Sequence, residues 1–410
     1  MIRRNGRRGA PLFDTTERSA GMREAEFMTA HANHLPPDLC DTISEYKRVA
    51  LVFQGGGALG AYQAGVYEAL HEVGCDPNWI SGVSIGAINS AIIAGNAPAD
   101  RVAKLREFWE TITSQRIIPF NLEGDIFRQW RNQFSAARTI LQGQPGFFQP
   151  RFPNPWLVPA GATGATSFYD TAPLRETLLK LVDFDRINSG EKRFSVGAVN
   201  VRTGNFLYFD NKIHTIAPEH VMASGALPPG FPAVKIDGEY YWDGGVVSNT
   251  PLQFLLDQPD HPSALVFQVD LFSARGPLPR DMFDVSERQK DIGYSSRTRY
   301  TTDVFRRVQD LRQKLYDALQ RIPEQLRTED DLALIEDYSA SGPVNICHLI
   351  YQEKTYEREF KDYEFSTTSM RDHWQTGYED TVKTLRRGDW LKKPDDTIGI
   401  VVHDIHRLSE

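Results

Sequence analysis

The sequence predicts an α/β fold in which helices cover both faces of a mostly parallel central sheet. Near the start, a strand, a Gly-rich turn and a helix are followed at once by a second strand, turn and helix. Two consecutive βα units imply parallel strands joined by right-handed crossovers. Composition agrees, because 40% hydrophobic and 24% charged residues in a chain of 410 are ordinary globular usage. Collagen, coiled coil and wholesale disorder are therefore excluded.

The first unit begins with the apolar, β-branched run Arg48–Phe53 (RVALVF), which is typical of a strand buried on both faces. The segment after the glycines has apolar residues at helical spacing and ends at Gly74. In the second unit, Trp79–Val83 is the predicted strand, Ser84 lies at the turn, and small apolar residues continue as a helix.

The pattern is irregular from Phe108 to Tyr169 and rich in Pro and aromatic residues, above all in Gly146–Pro159. Such a segment is either a lid over an apolar site or a surface excursion, and both interpretations stay open. Further on, Thr203-Gly204 indicates a hairpin, Ile236–Trp242 a second hairpin, and ALVFQVDLF from Ala264 a buried strand.

A different composition follows Arg280. The segment from Asp303 to Ile322 combines an apolar stripe with five basic residues. An interfacial membrane helix has this mixture, but so does a solvated helix that packs one face on its own domain, which we favour. The stripe consists of Val304, Val308, Leu311, Leu315 and Leu319.

Charge and cysteine content exclude other classes. A net charge of −8 provides no basic field to hold nucleic acid. The 3 cysteines include no CxxC pair, so neither a disulfide framework nor a cysteine-rich zinc site is expected. We find no secretory signal after the Arg-rich start, and no window of about 18 apolar residues. The expectation is a soluble cytoplasmic protein. Its N-terminal arginines could touch an anionic membrane surface, but we favour a solvated tail.

Gly82-Val83-Ser84-Ile85-Gly86 fits G-x-S-x-G, the nucleophile elbow, and lies between a predicted strand and a predicted helix as that motif requires. A serine on so sharp a turn needs small flanking residues, because a larger side chain would collide with the strand or the helix. The helix that starts behind Ser84 directs its positive end toward the serine. These features predict Ser84 as a nucleophile.

Two further glycine-rich motifs complete a candidate site. Gly55, Gly56 and Gly57 follow the first strand, where their backbone amides could bind the oxyanion of a carbonyl held over Ser84. Asp243, followed by Gly244 and Gly245, places a carboxylate on a tight loop after a strand.

These motifs, in this order, resemble the patatin-like phospholipase family across about Arg48 to Phe272. The stretch Ala223–Pro232 (ASGALPPGFP) and the residues Asn249 and Pro251 strengthen the resemblance. It implies a three-layer α/β/α fold with a patatin-like core over 47–275. An N-terminal basic arm is expected over 1–46 and a mostly helical C-terminal extension over 276–410, whose role the resemblance does not define.

The resemblance also implies a mechanism. Ser84 is the nucleophile and Asp243 the base of a Ser-Asp dyad, while amides of Gly55, Gly56 and Gly57 bind the oxyanion. An acyl-enzyme forms, no metal or organic cofactor is required, and the substrate is a lipid or another long-chain acyl ester. The family often has Arg or Lys where this chain has Leu59, so a preference for phospholipid over other esters stays open.

A carboxylate with an ordinary pKa near 4 is a poor base for a serine hydroxyl. Burial would have to raise the pKa of Asp243, or close geometry would have to make the proton transfer concerted.

Two other functions compete with hydrolysis. Gly55-x-Gly57-x-x-Gly60 satisfies the dinucleotide-binding fingerprint, but the acidic residue expected at the end of the second strand is missing, and Asp76 precedes that strand. A catalytically silent lipid-binding scaffold is the other alternative.

Histidines raise two further possibilities. A Ser-acid-His triad would need one downstream histidine, and we expect all four candidates to be structural or surface residues. His403 and His406 alone make a weak metal site. The four candidates are His348, His373, His403 and His406.

Overall fold

The structure, a computed structural model, describes nine parts of the chain. They are residues 35–36, 39–113, 135–162, 164–258, 262–337, 342–354, 357, 361–395 and 399–405. The arm predicted over 1–46 therefore lies mostly outside the described residues, as does His406.

Strands of the described residues form a 9-stranded sheet and a separate 2-stranded sheet. The strands are β1 (Arg48–Phe53), β2 (Trp79–Gly82), β3 (Gln149–Pro150), β4 (Tyr169–Asp170), β5 (Arg193–Asn200), β6 (Phe206–Asp210), β7 (Val234–Ile236), β8 (Glu239–Asp243), β9 (Ala264–Asp270), β10 (Val344–Ile350) and β11 (Ile400–Asp404).

Helices cover both faces of the large sheet. They are α1 (Leu39–Ser44), α2 (Ala61–Glu72), α3 (Ile85–Ala94), α4 (Arg101–Thr113), α5 (Ala172–Leu181), α6 (Phe184–Asn188), α7 (Pro218–Ser224), α8 (Leu252–Leu256), α9 (Met282–Tyr294), α10 (Thr298–Gln320), α11 (Glu329–Asp337), α12 (Thr367–Leu385) and α13 (Gly388–Leu391).

The large sheet is mostly parallel, as predicted. Its order is β11-β10-β9-β1-β2-β5-β8-β7, with β6 also paired to β5. Every pair from β11 to β5 is parallel, whereas β6, β7 and β8 are paired antiparallel in the two predicted hairpins. The carboxyl ends of parallel strands meet at one edge of a sheet, and this edge is where α/β proteins place their ligand sites.

Side chains of β1 show why its sequence is apolar throughout. Leu51 and Phe53 lie in the larger hydrophobic core, whereas Ala50 and Val52 lie in a second core on the opposite face. Neighbouring residues of a strand point to opposite faces. With helices on both faces, every position of the strand is buried, which confirms the three-layer α/β/α fold.

The segment after residue 276 shares this architecture. It supplies β10 and β11, which extend the sheet beyond β9, as well as helices. Its long helix α12 packs along α2, and glycines allow the close approach. A Cβ at Gly65 would come within 1.9 Å of the Trp374 carbonyl oxygen, and one at Gly377 within 2.0 Å of the Tyr62 carbonyl oxygen.

The aromatic residues of the irregular segment Gly146–Pro159 differ in their exposure. Phe147 and Phe148 are buried, while Phe152 and Trp156 are almost fully exposed.

In the described part of the chain, no helix is both long enough and apolar enough to cross a bilayer.

Candidate active site

Ser84 occupies a sharp turn between β2 and α3. Its backbone has φ +57° and ψ −125°, a conformation that non-glycine residues rarely adopt and that is typical of a nucleophile elbow. The flanking glycines are required by close backbone contacts. A Cβ at Gly82 would come within 2.3 Å of the Gly86 carbonyl oxygen, and a Cβ at Gly86 within 2.5 Å of the Phe53 carbonyl oxygen. The predicted need for small flanking residues is confirmed.

Ser224 holds this turn in place. The backbone amide of Ser84 donates to the carbonyl oxygen and to the Oγ of Ser224, each at 3.1 Å. The buried Ser224 hydroxyl in turn donates to the Gly197 carbonyl oxygen at 2.6 Å. The sequence marked Ser224 only as part of the ASGALPPGFP stretch, so its contact with the elbow is a new finding.

Asp243 is the last residue of β8 and is almost completely buried. Its carboxylate accepts a hydrogen bond from the backbone amide of Gly245 at 2.7 Å, and the nearby Ser84 hydroxyl also favours the charged carboxylate. Burial raises the pKa of Asp243 to about 7, although the Gly245 amide and the Ser84 hydroxyl both stabilise the charged form. The raised pKa that a serine-activating carboxylate needs is therefore present.

The glycine loop after β1 is fixed by Asn249. The amide of Gly55 donates to the Asn249 carbonyl oxygen at 3.2 Å, and the Asn249 side chain donates to the Gly55 carbonyl oxygen at 3.0 Å. The Gly55 amide is therefore already engaged. Within the described chain, the amides of Gly56 and Gly57 have no hydrogen-bond acceptor. Of the three predicted donors, these two are free to bind an incoming oxygen.

One pocket brings these groups together. Ser84, Asp243 and the three glycines all line it, and most of its remaining wall is apolar. Aromatic rings contact one another along that wall: Phe148 lies 4.8 Å from Tyr169 and 5.1 Å from Phe231, measured between ring centroids. The other lining residues are Ile85, Ile88, Thr139, Ile140, Phe147, Gly225, Leu227, Pro228, Pro229, Gly230, Gly245, Asn249, Phe272, Tyr294, Asp362, Tyr363 and Phe365.

The chain matches two related family descriptions. Residues 51–256, half of the chain, match the family described as Patatin-like phospholipase. The chain belongs to the patatin-like phospholipase family. Residues 292–397 match a second description, Patatin phospholipase. The C-terminal region that sequence motifs left undefined is thus also similar to patatin phospholipases.

Two individual proteins are similar to this member of the family. A protein of Pseudomonas aeruginosa (strain BWHPSA011 / Pa011), named cGAMP-activated phospholipase, is 26% identical over 221 residues, which are 51% of this chain and 55% of the relative. The chain therefore spans little more than half the length of that relative. A match to the crystal structure of VipD from Legionella pneumophila covers 83% of this chain and 67% of the VipD chain, at 16% sequence identity and a TM-score of 0.36. That likeness is too weak to support an argument about function.

Leu59, where patatin-like proteins often have a basic residue, is fully buried in the hydrophobic core. It does not line the pocket. An apolar residue fits this position, and no cation at position 59 assists the site.

The C-terminal region forms one wall of the pocket through Asp362, Tyr363 and Phe365. A Cβ at Gly57 would come within 2.3 Å of the Asp362 carbonyl oxygen, so this wall lies directly against the glycine loop. Gly57 also has φ +54°, which favours glycine. Sequence reasoning missed these residues, and no local pattern marks them.

A buried lysine anchors this wall. The Lys361 amino group lies 2.8 Å from the Asp291 carboxylate, 3.2 Å from Glu353 and 3.4 Å from Glu287. These three carboxylates are close enough together to hold a metal ion. Because the Lys361 ammonium already lies among them, a structural ion cluster is the simpler interpretation.

The alternative functional residues lie elsewhere. His348 pairs with Asp270 at 2.6 Å, and His373 pairs with Glu357 at 2.7 Å, each buried. Among the described residues that line the pocket there is no histidine. Asp76, the weak candidate for a ribose contact, precedes β2 and pairs with Arg101 and Lys192. It therefore lies at the edge of the sheet opposite the glycine loop.

Proposed function

We propose that this protein hydrolyses acyl esters of lipids with Ser84 as nucleophile and Asp243 as general base. One observation carries the proposal. The Ser84 hydroxyl lies beside the buried carboxylate of Asp243, whose pKa is raised to about 7, and both groups line the same largely apolar pocket. A base with a pKa near the working pH is suited to proton transfer from an alcohol.

The reaction has two halves. The Ser84 Oγ attacks the ester carbonyl carbon while Asp243 takes the hydroxyl proton, and a tetrahedral oxyanion forms. The C–O bond to the leaving alcohol then breaks, the alcohol takes the proton from Asp243, and an acyl-enzyme remains. In the second half, water gives a proton to Asp243 and attacks the acyl carbonyl. Collapse of the second oxyanion returns the proton to Ser84 and releases the fatty acid.

The oxyanion is stabilised by backbone amides. Gly56 and Gly57 supply free amides, and the Ile85 amide, directly after the nucleophile at the start of α3, is the third candidate. Gly55 acts indirectly, since its bonds to Asn249 fix the loop. Loss of one oxyanion donor typically costs on the order of a hundredfold in rate.

The acyl chain occupies the aromatic wall of the pocket. Phe147 and Phe148 come from the aromatic-rich segment Gly146–Pro159, and Tyr169 and Phe231 extend the same surface. The later part of that segment is exposed rather than lining the pocket. Deletion of these aromatic side chains should reduce activity on long-chain esters far more than on acetate esters.

Phospholipid is the substrate class favoured by the name of the Pseudomonas aeruginosa relative. The apolar pocket suits the acyl part of an ester and, with Leu59 buried, offers no basic residue at that position for a phosphate. Phospholipids, lysophospholipids and neutral lipid esters therefore belong in one substrate panel.

Three free cysteines, Cys40, Cys75 and Cys347, are in keeping with a reducing compartment. We place the enzyme in the cytoplasm, acting on lipid at a membrane surface.

The test compares wild type with Ser84→Ala and Asp243→Asn on that panel, with and without a chelator. We expect at least a thousandfold loss for both variants on one substrate class and no effect of the chelator. A fluorophosphonate probe should label Ser84 in wild type only. If folded wild-type protein is not labelled and hydrolyses nothing in the panel, the protein is instead a silent lipid-binding scaffold.

A further inference from the structure

The apolar stripe of helix α10 faces solvent. Val304, Val308 and Leu311 are 40%, 47% and 68% exposed, and Tyr300, one turn before Val304, is 71% exposed. These four positions recur at spacings of three and four residues, so they share one side of the helix.

A different side of α10 packs against the protein. Its buried residues include Thr302, Phe305 and Gln309, and Phe305 belongs to the hydrophobic core on this face of the sheet. The helix thus buries a largely polar side and presents its most apolar side outward. Burial on this protein's own domain, which the sequence favoured for the stripe, holds at Leu319 and not at its first three members.

Basic side chains border the exposed stripe. Arg307 precedes Leu311 by one turn, and Lys314 follows it by almost one turn, so both side chains flank the apolar residues. Neither forms a salt bridge with any residue that the structure describes, whereas Arg306 pairs with Asp303 at 3.3 Å. From Arg297 to Arg321 the chain has seven basic and three acidic residues, a local charge of +4 in a protein of net charge −8.

We infer that α10 docks the protein on the surface of an anionic lipid bilayer through Tyr300, Val304, Val308 and Leu311. An interfacial helix of this kind buries its apolar face at the boundary of headgroups and acyl chains, while basic residues contact the anionic headgroups. The choice of a bilayer over another anionic surface rests on the proposed lipid substrate.

The charge around the exposed stripe argues against a second copy of the chain as the partner that covers it. A two-fold interface places the same patch of both copies face to face, so Arg307 and Lys314 of one copy would approach those of the other. An anionic bilayer complements the same charges.

The start of α10 also lies near the candidate site. Thr298, the first residue of the helix, accepts a hydrogen bond at 2.6 Å from Gln268 near the carboxyl end of β9. Tyr294, shortly before it, lines the pocket. Docking through the N-terminal half of α10 would therefore hold this edge of the sheet close to the lipid surface.

The test is co-sedimentation of the full chain with vesicles of phosphatidylcholine alone or mixed with phosphatidylglycerol. The Ser84→Ala protein is used, so that hydrolysis plays no part in binding. We expect tighter binding to the anionic vesicles, weakened by salt. Combined V308Q and L311Q substitutions should weaken binding at least tenfold. Combined R307Q and K314Q substitutions should weaken binding to anionic vesicles by about fivefold per residue.

Matched controls are L278Q, at an exposed leucine outside the helix, and K212Q, at an exposed lysine. Both should bind as the parent does. The helix variants, made in wild type, should keep full activity on a water-soluble ester and lose it on vesicles. Equal vesicle binding by all variants, no vesicle binding by the parent, or a dimer that the helix substitutions dissociate would each overturn the inference. A protein that binds vesicles but hydrolyses no ester would overturn only the proposed function.

Discussion

The backbone carbonyl oxygen of Asp362 lies directly against Gly57, 305 residues earlier in the chain. A Cβ at Gly57 would come within 2.3 Å of that oxygen. The C-terminal region thus touches the glycine loop that lines the pocket together with Ser84, and it also lines the pocket through Tyr363 and Phe365. Core and C-terminal region build one site together, so changes in either should alter the same reaction.

Gly57→Ala should strongly reduce catalysis. The new methyl group would displace either Asp362 or the glycine loop, and φ +54° at Gly57 adds backbone strain. We expect kcat on a soluble ester to fall about a hundredfold or more, as for the loss of an oxyanion donor.

The control for this substitution is Gly204→Ala. Gly204 has φ +70°, but no atom lies within 4 Å of the position that the new methyl group would take, so only backbone strain applies. Its stability should drop by about 1 kcal/mol with kcat unchanged. Equal kcat for Gly57→Ala and wild type would show that the Gly57 loop has no role in the reaction.

Lys361→Met should destabilise the protein and slow the reaction. It leaves the carboxylates of Glu287, Asp291 and Glu353 together without their cation, and breaking a buried ion pair in this way costs about 3 to 5 kcal/mol. The wall beginning at Asp362 should loosen, lowering kcat. Thermal unfolding and soluble-ester kinetics measure the two effects.

The deficit of Lys361→Met should shrink as the pH falls. Burial and the neighbouring Glu287 raise the pKa of Glu353 to about 8 even with the lysine present. Without it the carboxylates bind protons more readily still, and protonation removes their repulsion. Lys104→Met, which breaks the partly exposed pair with Glu107, is the control and should cost less than about 1 kcal/mol. A pH-independent deficit would argue against charge repulsion as its cause.

Sequence could predict the parts of the site whose chemistry is local. Gly82 and Gly86 flank Ser84 because nearby backbone atoms leave no room for a side chain at either position. The short motif G-x-S-x-G is therefore enough to identify this turn from the sequence. The role of Gly55 was beyond such reasoning. Its amide is used by Asn249, and this contact joins loops 194 residues apart.

The exposure of the apolar stripe of α10 could not be predicted from the sequence either. Hydropathy alone would bury Val304 and Leu311, but the helix packs through Phe305 among polar residues such as Thr302 and Gln309. The direction in which a helix faces is decided by the surface beneath it, here a core cluster of residues from strands and helices that are distant in the sequence. Asp362 and Tyr363 were missed for the same reason, since their place in the pocket depends on long-range packing.

The rate of ester hydrolysis should rise with pH through about 7. Asp243 accepts a proton only when it is ionised, and burial raises the pKa of its carboxyl group to about 7. At pH 6 the kcat/KM on a soluble ester should therefore be about a tenth of its plateau value. Circular dichroism at each pH verifies that the protein stays folded. A midpoint near 4, the ordinary value for aspartate, would mean that the proposed base is not Asp243 in this environment.

Asp243→Asn should make the inactive protein more stable than wild type at neutral pH. The pKa of Asp243 is about 7 in the folded protein against 3.8 for an ordinary aspartate, so the folded state binds the proton more tightly than the unfolded state. Wild-type stability therefore falls as the pH rises from about 4 to about 7, and by pH 8 the ionised Asp243 lowers the free energy of unfolding by about 2 to 4 kcal/mol.

The asparagine of the Asp243→Asn variant keeps an oxygen for the Gly245 amide and carries no charge. The melting temperature of Asp243→Asn should thus exceed that of wild type by a few degrees at pH 8 and match it near pH 4. Glu176→Gln, which removes an exposed carboxylate, should show no such pH-dependent gain. If Asp243→Asn instead melts below wild type at pH 8, the buried charged carboxylate stabilises the fold. The cost of burying its charge then cannot be what raises its pKa and prepares it to take the proton from Ser84.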